Sequence, residues 1–460
     1  MEDHHVTRTP NVIVFFTDQQ RHDTTGVHGN PLDLTPNFDY MAKKGTHIEN
    51  SFTCQPVCGP ARSCLQTGLY ATTTGCYQNR VPLPKGSKTL AHYFNDAGYK
   101  TGYIGKWHLA DEEPVTEPNR GGYNYWLGSE LLEFSSDAYD TVLYDNDNQS
   151  VKLPGYRVDA MTDASIRFID QNQDEPFFLF TSYIEPHHQN HMDNYPAPNV
   201  YRDKYVGRWT PPDLEALGGT APQHLPGYYG MVKRLDDALG RIMDTLVSLN
   251  LDKNTIILFT SDHGNHFKTR NSEYKRSPHD SSIRVPTAFI GSIFNNGGPI
   301  ENLVSLIDLP PTLLNACGIP VPEEMEGNSI VPLVKREETN WQDDVFVQIS
   351  EDQIGRAIRT DRWKYAVYAK GKSGTDAPNA EVYDELYLYD LHADPYELTN
   401  LIGIKTFDPI CEDLRERLLN RIEKIEDYRP TINTATPREE IQRRATNKGI
   451  YEDLQQLGIN

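Results

Sequence analysis

The fold is decided by the stretch Asn11-Val12-Ile13-Val14-Phe15-Phe16-Thr17-Asp18-Gln19. A continuous apolar run of this length is typical of a strand that is buried on both faces, as in a parallel sheet covered by helices. The run stops abruptly at Asp18 and Gln19. Because ligands of such sheets bind beyond the carboxyl ends of the strands, these two polar residues are candidates for a functional site.

Three later stretches repeat the pattern of an apolar run that ends in polar residues. Residues 255–260 lead into Ser261-Asp262-His263-Gly264, residues 177–183 lead into Glu185-Pro186-His187-His188, and the weaker run 101–105 leads into Lys106-Trp107-His108. Helical patterns lie between these runs, for example at residues 89–97 and 230–249. Strands that alternate with helices indicate parallel crossover units, so we expect an α/β fold.

The composition is that of an ordinary globular chain with a strong acidic balance. Of the 460 residues, 37% are hydrophobic and 24% are charged, which suffices for one large core and a smaller satellite domain. The formal net charge of -21 argues against nucleic acid as a partner. The same charge repels polyanionic substrates at long range, so an anionic substrate requires cations within its pocket.

The sequence predicts neither a targeting segment nor a membrane span. Residues 1–8 lead into an apolar run that is too short and wrongly flanked for a signal peptide. No apolar stretch is long enough to span a bilayer, so no membrane partner is expected. We therefore expect a cytoplasmic protein whose six cysteines are mostly reduced, although a trimmed signal peptide would escape this argument.

The segment Cys58-Gly59-Pro60-Ala61-Arg62-Ser63 predicts a helix that begins near Cys58 and receives an anion. Pro60 suits the first turn of a helix, where no backbone donor is lost. Free amide groups and the positive end of the helix dipole favour an anion at this point, and Arg62 adds a permanently charged partner one turn later. The segment therefore predicts a site for sulfate or phosphate.

Two other interpretations of the cysteines stay open at this point. Cys54, Cys58, Cys64 and Cys76 could be zinc ligands or disulfide partners, although the paired Cys-x-x-Cys spacing does not occur among them. A single cysteine near a helix start is most often a small buried apolar residue. Cys58 alone does not decide between these interpretations and an anion site.

Two of the strand ends offer ligands for a hard cation. Asp18 and Asp262 supply carboxylate oxygens, which suit an ion of the Ca2+ or Mg2+ class better than zinc. His263 can add a nitrogen ligand or donate to a bound anion. A single Asp or His after a strand most often makes a turn. Because four strand ends repeat the pattern, we favour a shared site.

Together these motifs resemble the landmarks of the type I sulfatases of the alkaline phosphatase superfamily. The resemblance rests on the Cys58 segment and, in the order of the family, on Thr17-Asp18-Gln19-Gln20-Arg21, Gly105-Lys106-Trp107-His108-Leu109, Pro186-His187, Thr260-Ser261-Asp262-His263-Gly264 and Lys275-Arg276-Ser277-Pro278. It covers residues 11–286 and implies the fold of that family, a large, mostly parallel mixed sheet between helices.

The resemblance implies a modified cysteine and a set of metal ligands. In the family the cysteine is oxidised to formylglycine by a maturation enzyme, and the hydrated aldehyde is the nucleophile. Asp18, Gln19, Asp262 and His263 match the metal ligands, and the oxidised Cys58 completes the shell. Ca2+ is the favoured ion, with Mn2+ and Mg2+ as alternatives, because many members carry a second aspartate in place of Gln19 and asparagine in place of His263.

The resemblance also assigns the cationic and acid-base residues. Arg62 matches the residue that holds the formylglycine hydrate, and Lys106 matches the residue that holds the sulfate. Lys275 and His187 match residues beside the leaving-group oxygen, and His108 matches the base that triggers release of sulfate. Without the neighbouring motifs, Lys275 would be interpreted as a solvated loop charge.

The C-terminal third predicts a second, smaller unit. Residues 303–314 predict a strand or turn that enters a core helix, and residues 357–360, 363–368 and 385–391 alternate like antiparallel strands with one exposed face. With residues 394–401 they resemble the small C-terminal sulfatase domain, a short sheet capped by a helix at 410–425. We predict a catalytic domain at 1–340, a small antiparallel-sheet domain at 341–430 and a polar tail at 431–460. The tail could wrap the body or reach a second subunit of a homo-oligomer.

The predicted function is hydrolysis of a sulfate ester, in the first place of a small or oligomeric sulfated carbohydrate and in the second place of an aryl sulfate. A phosphonate or phosphate ester hydrolase with the same oxidised cysteine is the nearest alternative. The other alternative is a non-catalytic protein that binds sulfated ligands through an unmodified Cys58. The intact mass separates this protein from the enzymes, because conversion of the thiol to the aldehyde lightens the chain by about 18 Da.

Overall fold

The computed structural model describes residues 9–337, 340–439 and 445–459. Residues 1–8, which entered the prediction of a cytoplasmic location, lie outside this range, as do residues 440–444 and 460 of the predicted tail. Within the described ranges, no helix combines the length and the apolar character that crossing a membrane requires.

The described residues form two sheets with helices packed against them. The strands are β1 (Asn11–Thr17), β2 (Thr46–Phe52), β3 (Lys100–Lys106), β4 (Tyr125–Ser129), β5 (Thr141–Tyr144), β6 (Ser150–Leu153), β7 (Phe177–Ser182), β8 (Thr255–Ser261), β9 (Thr287–Ile290), β10 (Gly298–Ser305), β11 (Asp344–Ile349), β12 (Gly355–Thr360), β13 (Trp363–Tyr368), β14 (Val382–Asp390) and β15 (Thr431–Asn433). The α-helices are α1 (Pro36–Lys44), α2 (Cys58–Thr67), α3 (Ala71–Thr74), α4 (Leu90–Asp96), α5 (Leu132–Ser135), α6 (Arg157–Gln171), α7 (Asn199–Lys204), α8 (Pro212–Leu217), α9 (Ala221–Ser248), α10 (Asp280–Ile283), α11 (Leu309–Ala316), α12 (Val331–Val334), α13 (Asp408–Glu426) and α14 (Asn447–Leu457).

The large sheet has the strand order β10-β2-β9-β8-β1-β7-β3-β4-β5-β6. Its centre is parallel, since β1 pairs with β7 and β8, and β3 pairs with β7 and β4 in the same direction. Antiparallel pairs involve β9 and the β4-β5-β6 edge. The predicted α/β class with a mostly parallel mixed sheet is confirmed, and the four predicted strands are neighbours in its middle.

Strand β1 explains why the sheet is covered on both faces. All seven of its residues are buried. Val12, Val14 and Phe16 belong to one core cluster, whereas Ile13 and Phe15 belong to another on the opposite side. Successive side chains of a strand point to opposite faces, so a continuous apolar run requires a core on each side.

Helix α9 begins at Ala221, well before the predicted residue 230, and contains Pro226. Proline and glycine usually interrupt a helix, which is why the sequence pattern predicts a start after Pro226 and Gly227. A side chain at Gly227 would place its Cβ 2.3 Å from the carbonyl oxygen of Tyr195. The glycine therefore lets the helix approach this loop closely.

The small sheet has the order β11-β12-β13-β14-β15. Its first three pairs are antiparallel as predicted, whereas β15 runs parallel to β14. Strand β15 lies in the segment 431–460 that is predicted as a polar tail, and no sequence pattern predicts strand β11. Leu454 of α14 packs with Tyr368 and Leu386 of the sheet, so described parts of the tail contribute to the C-terminal core.

Candidate active site

The predicted site residues follow strands that lie side by side in the large sheet. Asp18 and Asp262 follow β1 and β8, whose last paired residues are Thr17 and Ser261. Lys106 is the last residue of β3, which is separated from β1 only by β7. The carboxyl ends of these parallel strands therefore carry buried charged groups to one edge of the sheet.

Helix α2 presents Cys58 at this edge. Cys58 is the first residue of the helix and is buried, as predicted from Pro60 in the first turn. The backbone N–H of Gly59 donates to Oδ1 of Asn79 at 2.9 Å. A Cβ at Gly59 would lie 3.2 Å from the carbonyl oxygen of His108, so the glycine allows the helix start to pack against this segment.

The structure does not support the zinc and disulfide interpretations of the cysteines. All six cysteines are free thiols. Of the four near the helix, Cys58 is the one that belongs to a group of metal-ligating side chains in the described residues. Burial raises the pKa of Cys64 and of Cys76, which keeps these thiols neutral in the core.

Four side chains converge where a cation would fit. The ligand atoms of Asp18, Cys58, Asp262 and His263 all lie within 4.8 Å of one another. Nδ1 of His263 donates to the carbonyl oxygen of Gly264 at 2.9 Å, which leaves the lone pair on Nε2.

That Nε2 atom faces three other electron-pair donors. It lies 3.3 Å from Sγ of Cys58, 3.5 Å from Oδ1 of Asp262 and 3.7 Å from Oδ1 of Asp18. Lone pairs that face one another at such distances repel, and a shared cation removes the repulsion. The donor set thus fits a metal ion, and two carboxylates make it a site for a hard ion.

Gln19 lies beside this group and is not one of the four. Its backbone N–H donates to Oδ1 of Asp262 at 3.0 Å, and its carbonyl oxygen accepts from the hydroxyl of Tyr228 at 2.8 Å. Its backbone φ of +68° is unusual for a residue with a side chain. In the described part of the chain its buried Nε2 has no hydrogen-bond partner. A ligand role of Gln19 stays a prediction.

Arg62 and Lys106 converge on Asp18. Nη2 of Arg62 donates to Oδ2 of Asp18 at 2.8 Å and lies 3.4 Å from Oδ2 of Asp262. Its Nη1 donates to the carbonyl oxygen of Lys106 and to the hydroxyl of Ser182. Nζ of Lys106 donates to Oδ2 of Asp18 at 2.8 Å and to Oε1 of Glu133 at 3.0 Å.

Sequence reasoning missed Glu133 and Ser182. Glu133 lies in the single turn α5, and Ser182 ends β7. Neither residue belongs to a recognisable motif, because a glutamate in a short helix and a serine after an apolar run are common. The strand end at Ser182 was visible, but its contact with Arg62 spans 120 residues and could be found only in the folded chain.

The buried charges shift one another in opposite directions. Burial and the sulfur of Cys58 raise the pKa of Asp18, but neighbouring cations, Lys106 first and then Arg62, outweigh them and hold it well below its usual value. Burial, with Asp18 adding to it, raises the pKa of Asp262 to about 6. Burial also raises the pKa of Cys58, but Lys106 and Lys275 outweigh it, so residue 58 sits in a strongly cationic environment.

Lys275 contacts residue 58 directly, and His187 contacts Lys275. Nζ of Lys275 donates to Sγ of Cys58 at 2.8 Å and lies 3.3 Å from Nε2 of His187. Nδ1 of His187 lies 2.5 Å from the carbonyl oxygen of His188, so Nδ1 carries a proton and Nε2 is free to accept from Lys275.

His108 completes the set of predicted residues. Its φ is +58°, its backbone N–H donates to the carbonyl oxygen of Glu130, and its buried Nδ1 has no partner among the described residues. A contact with His108 is among the effects that lower the pKa of Cys58. The structure therefore gathers the residues predicted from separate motifs around one sulfur atom.

Comparison with known proteins assigns a family to this arrangement. Residues 10–319 match the family model described as Sulfatase, and residues 273–424 match the model described as N-sulphoglucosamine sulphohydrolase, C-terminal. An ulvan-active sulfatase of Formosa agariphila is 30% identical over 442 residues, which cover 91% of this chain and 82% of that protein. An arylsulfatase of Clostridium perfringens is 28% identical and covers 91% of this chain and 95% of its own length.

A solved structure shows the same fold. It is described as a complex with its substrate D-glucosamine-2-N,6-O-disulfate and matches with a TM-score of 0.76 at 22% identity. The match covers 92% of this chain and 99% of the other. These findings confirm the family resemblance inferred from the motifs.

Proposed function

Because this chain belongs to the sulfatase family, we propose that it hydrolyses a sulfate ester of a carbohydrate with an oxidised residue 58 and a divalent cation. Membership of the family makes it a sulfuric ester hydrolase. The observation that carries the finer proposal is the position of Cys58. Its sulfur is one of the four atoms of the metal-ligand group and also accepts a hydrogen bond from the Lys275 ammonium.

The sulfur of Cys58 stands in for the oxygen atoms that an oxidised residue would carry. Formylglycine at this position would supply a hydrated aldehyde, one hydroxyl of which attacks sulfur while the other permits sulfate to be expelled. Gly59 and Asn79 fix the helix start that holds the residue. Oxidation requires a formylglycine-generating maturation enzyme, which we propose as a partner of the nascent chain.

A divalent cation would be held by Asp18, Asp262 and His263 together with residue 58. It would supply a Lewis acid beside the reacting oxygen and balance the charge that develops there. The fit is supported by the Nε2 lone pair of His263, which faces two carboxylate oxygens. Two carboxylates favour Ca2+, and Mn2+ and Mg2+, which share the preference for carboxylate oxygens, are the alternatives.

Lys106 and Arg62 both contact Asp18 but have different proposed roles. A lysine ammonium has three donors, and those of Lys106 reach Asp18 and Glu133, which leaves one for a sulfate oxygen. Nη1 and Nη2 of Arg62 are occupied by Asp18, Ser182 and the Lys106 carbonyl, and only its buried Nε lacks a partner in the described residues, so its main role is to hold the Asp18 carboxylate in place. We therefore assign substrate binding to Lys106 and support of the ligand shell to Arg62.

Lys275 is the proton donor that the geometry favours. Nε2 of His187 carries the lone pair and accepts from Nζ of Lys275, so the imidazole orients the ammonium and does not itself donate from that atom. The ammonium contacts residue 58 and can protonate the departing alcohol oxygen. His108, on the helix-start side, is the proposed base for release of sulfate.

A carbohydrate substrate is supported by the relatives. The Formosa agariphila relative is named for ulvan, and the substrate of the solved complex is a sulfated sugar. An aryl sulfate is the second choice, supported by the name of the Clostridium perfringens relative. A cytoplasmic location stays a proposal from the sequence.

The test is a side-by-side assay of sulfated sugars, aryl sulfates and phosphonates, with intact-mass measurement of the same sample. We expect a chain about 18 Da light that releases sulfate, with the highest kcat/KM on a sulfated sugar. Cys58→Ala is the matched control and should fold, bind substrate and show no turnover. A preference for phosphonates would refute the sulfatase proposal, and an unshifted mass without turnover would indicate a binding protein. Full activity of the alanine variant would overturn the mechanism.

A further inference from the structure

The small sheet reaches the active site through Glu351, two residues beyond the end of β11. Oε1 of Glu351 accepts from the backbone N–H of Asn79 at 2.7 Å, and Oε2 pairs with Nη2 of Arg276 at 2.6 Å. Asn79 in turn caps the backbone N–H of Gly59. Arg276 directly follows Lys275 in the chain.

These contacts close a ring around the reacting atom. From Cys58 the ring passes through Gly59 and Asn79 to Glu351, and returns through Arg276 and Lys275, whose Nζ lies 2.8 Å from Sγ of Cys58. Glu351 is the member that bridges the nucleophile helix and the proton-donor loop. A carboxylate with one oxygen on each of two segments fixes the distance between them.

Neighbouring residues of the same sheet hold both segments again. On the helix side, the backbone N–H of Gln348 donates to the carbonyl oxygen of Cys54 at 2.8 Å, and Nε2 of Gln55 donates to the hydroxyl of Ser350 at 2.7 Å. The backbone N–H of Arg276 donates to the carbonyl oxygen of Pro56. The segment before Cys58 is therefore supported along its length.

On the lysine side, Asp352 acts through Asn271. Nδ2 of Asn271 donates to Oδ2 of Asp352 at 3.1 Å and to the carbonyl oxygen of Lys275 at 2.8 Å. Glu351 and Asp352, which follow strand β11, thus hold the Lys275 loop at two points, Arg276 and Asn271.

The backbone at these points is in an uncommon conformation. Glu351 has φ +67° and Arg276 has φ +69°, values that residues with side chains adopt only at a cost in conformational energy. Such strain persists where the surrounding contacts determine the conformation, and it concentrates at functional sites. The side chain of Glu351 is 10% exposed, so its two hydrogen bonds are shielded from solvent.

We propose that Glu351 is a positioning residue of the active site, which sets the distance between the Lys275 ammonium and residue 58. This inference rests on the proposed function, because it assigns Lys275 the protonation of the leaving oxygen. Glu351 touches no reacting atom. It acts through Arg276, which directly follows Lys275 in the chain, and through Asn79, whose side chain accepts from the backbone N–H of Gly59 at the start of α2.

The decisive variant is Glu351→Gln in the oxidised, metal-loaded full chain. The amide oxygen can still accept from Asn79, but the amide nitrogen faces the Arg276 guanidinium, donor against donor. We expect the Lys275 loop to move away from residue 58. For sulfate esters of poor leaving groups kcat should fall roughly tenfold to a hundredfold, the loss expected for a displacement of about 1 Å.

Activated aryl sulfates distinguish positioning from damage. Their leaving groups need little protonation, so we expect their kcat to change less than about threefold in Glu351→Gln. KM should change little for either class, because the substrate-binding Lys106 is untouched. A merely structural role would lower the fraction of active enzyme and would therefore reduce the apparent kcat by the same factor for all substrates.

Glu385→Gln is the matched control within the same sheet. Oε1 of Glu385 pairs with Arg415 and accepts from Tyr365, and Oε2 accepts from the backbone N–H of Ala435. The control therefore loses a comparable ion pair without touching the nucleophile helix or the Lys275 loop. We expect a lower melting temperature and unchanged relative rates between the two substrate classes.

A double variant and crystal structures complete the test. In a Lys275→Ala background, Glu351→Gln should add no further leaving-group dependence if it acts through that lysine. Crystal structures of wild type and Glu351→Gln supply a readout that does not depend on turnover. A longer distance from Nζ of Lys275 to residue 58 supports the proposal. An unchanged distance, or an equal loss on all substrates, overturns it even if the sulfatase proposal stands.

Discussion

Two clusters in this molecule are built from the same parts, and only one of them has the marks of a functional site. Each contains two buried carboxylates, one lysine and one arginine, and the active-site cluster adds a third carboxylate, that of Glu133, beside its lysine. The active-site cluster comprises Asp18, Asp262, Lys106 and Arg62, and the junction cluster, between the large body and the small sheet, comprises Asp280, Glu397, Lys364 and Arg359.

In the junction cluster every carboxylate oxygen has a donor. Nζ of Lys364 donates to Oδ1 of Asp280 and, at 2.5 Å, to Oε1 of Glu397. Oδ2 of Asp280 lies 3.4 Å from Nη2 of Arg359, and Oε2 of Glu397 accepts from the backbone N–H of Asp280. The cluster is closed and leaves no oxygen for a ligand.

The active-site cluster leaves one side open. Oδ2 of Asp18 is held by two cations, whereas its Oδ1 has only the weak thiol donor of Cys58, at 3.6 Å, and faces Nε2 of His263 at 3.7 Å. A buried ion pair is therefore weak evidence of function. Groups of the same polarity that face one another, and so require a ligand between them, are stronger evidence.

The largest expected effect comes from Asp18→Asn. The amide keeps the shape of the carboxylate but removes the anion between Arg62 and Lys106 and one ligand of the cation. We expect kcat/KM on an aryl sulfate to fall roughly a thousandfold or more. The free energy of unfolding should fall by less than this loss of transition-state stabilisation, because Arg62 keeps Asp262 and Lys106 keeps Glu133 as a carboxylate partner.

Asp280→Asn is the matched variant in the junction cluster, and the comparison predicts the reverse result. It should lower the free energy of unfolding more than Asp18→Asn does and leave kcat/KM of the folded enzyme near wild type. Urea titration and initial rates on both variants decide the matter. If both variants showed equal changes in the free energy of unfolding and in kcat/KM, the distinction between an open and a closed cluster would be wrong.

Metal removal is the next largest effect. We expect a chelator to abolish turnover and lower the melting temperature, and Ca2+ to restore both. A ligand at a hundred times its Kd stabilises the folded state by about 2.7 kcal/mol. Asp18→Asn should lose this thermal response, whereas Lys364→Met should keep it. If chelation and Ca2+ changed the melting temperature of Asp18→Asn as much as that of wild type, the cation would bind at another site.

Lys364→Met tests the closed cluster directly. The variant leaves Asp280 and Glu397 buried without their shared cation, which should lower the free energy of unfolding by about 3–5 kcal/mol. The rate per folded molecule should stay within about twofold of wild type at temperatures below unfolding. Urea titration measures the free energy of unfolding, and initial rates divided by the concentration of active sites measure the rate per folded molecule. A loss of rate in fully folded enzyme would link the junction to catalysis.

The sequence predicted the metal-ligand side of the site better than its surroundings, for a physical reason. Asp18 and Asp262 each end an apolar run, and the meeting of such strand ends follows from the rules of parallel sheets. Glu133 and Glu351 carry no local pattern. Glu351 meets Asn79 across 272 residues, and only the packing of the small sheet brings them together.

The errors in the fold have similar causes. Pro226 and Gly227 predicted the end of a helix, yet tertiary packing carries α9 through both. Strand β15 has three residues, too few for a pattern, and exists because it pairs with β14. Long, buried elements can be predicted because their burial requires a recognisable pattern of apolar residues. Short elements and supporting residues depend instead on distant partners and leave no such pattern.

A third kind of carboxylate, which is only partly buried, completes the comparison and gives the smallest expected effect. Asp352 forms no salt bridge in the described part of the chain, and burial raises its pKa to about 7, although Arg276 and Asn271 oppose the shift. Its carboxyl group is thus protonated in the folded protein at pH 5 and ionised in the unfolded chain. The stability that it contributes is complete below about pH 4 and is lost as the pH rises through 7.

Asp352→Asn imitates the protonated form and should remove this dependence. Between pH 5 and pH 8, the free energy of unfolding of wild type should fall by about 1 kcal/mol more than that of the variant, a modest figure because water reaches part of the side chain. Urea titrations of both proteins at the two pH values measure the difference. The same titrations on Glu385→Gln provide the control, because that replacement leaves Asp352 in place and should retain the wild-type loss. If the variant loses as much stability as wild type, then Asp352 is ionised in the folded state, and an unpaired carboxylate in this protein tolerates burial without a proton.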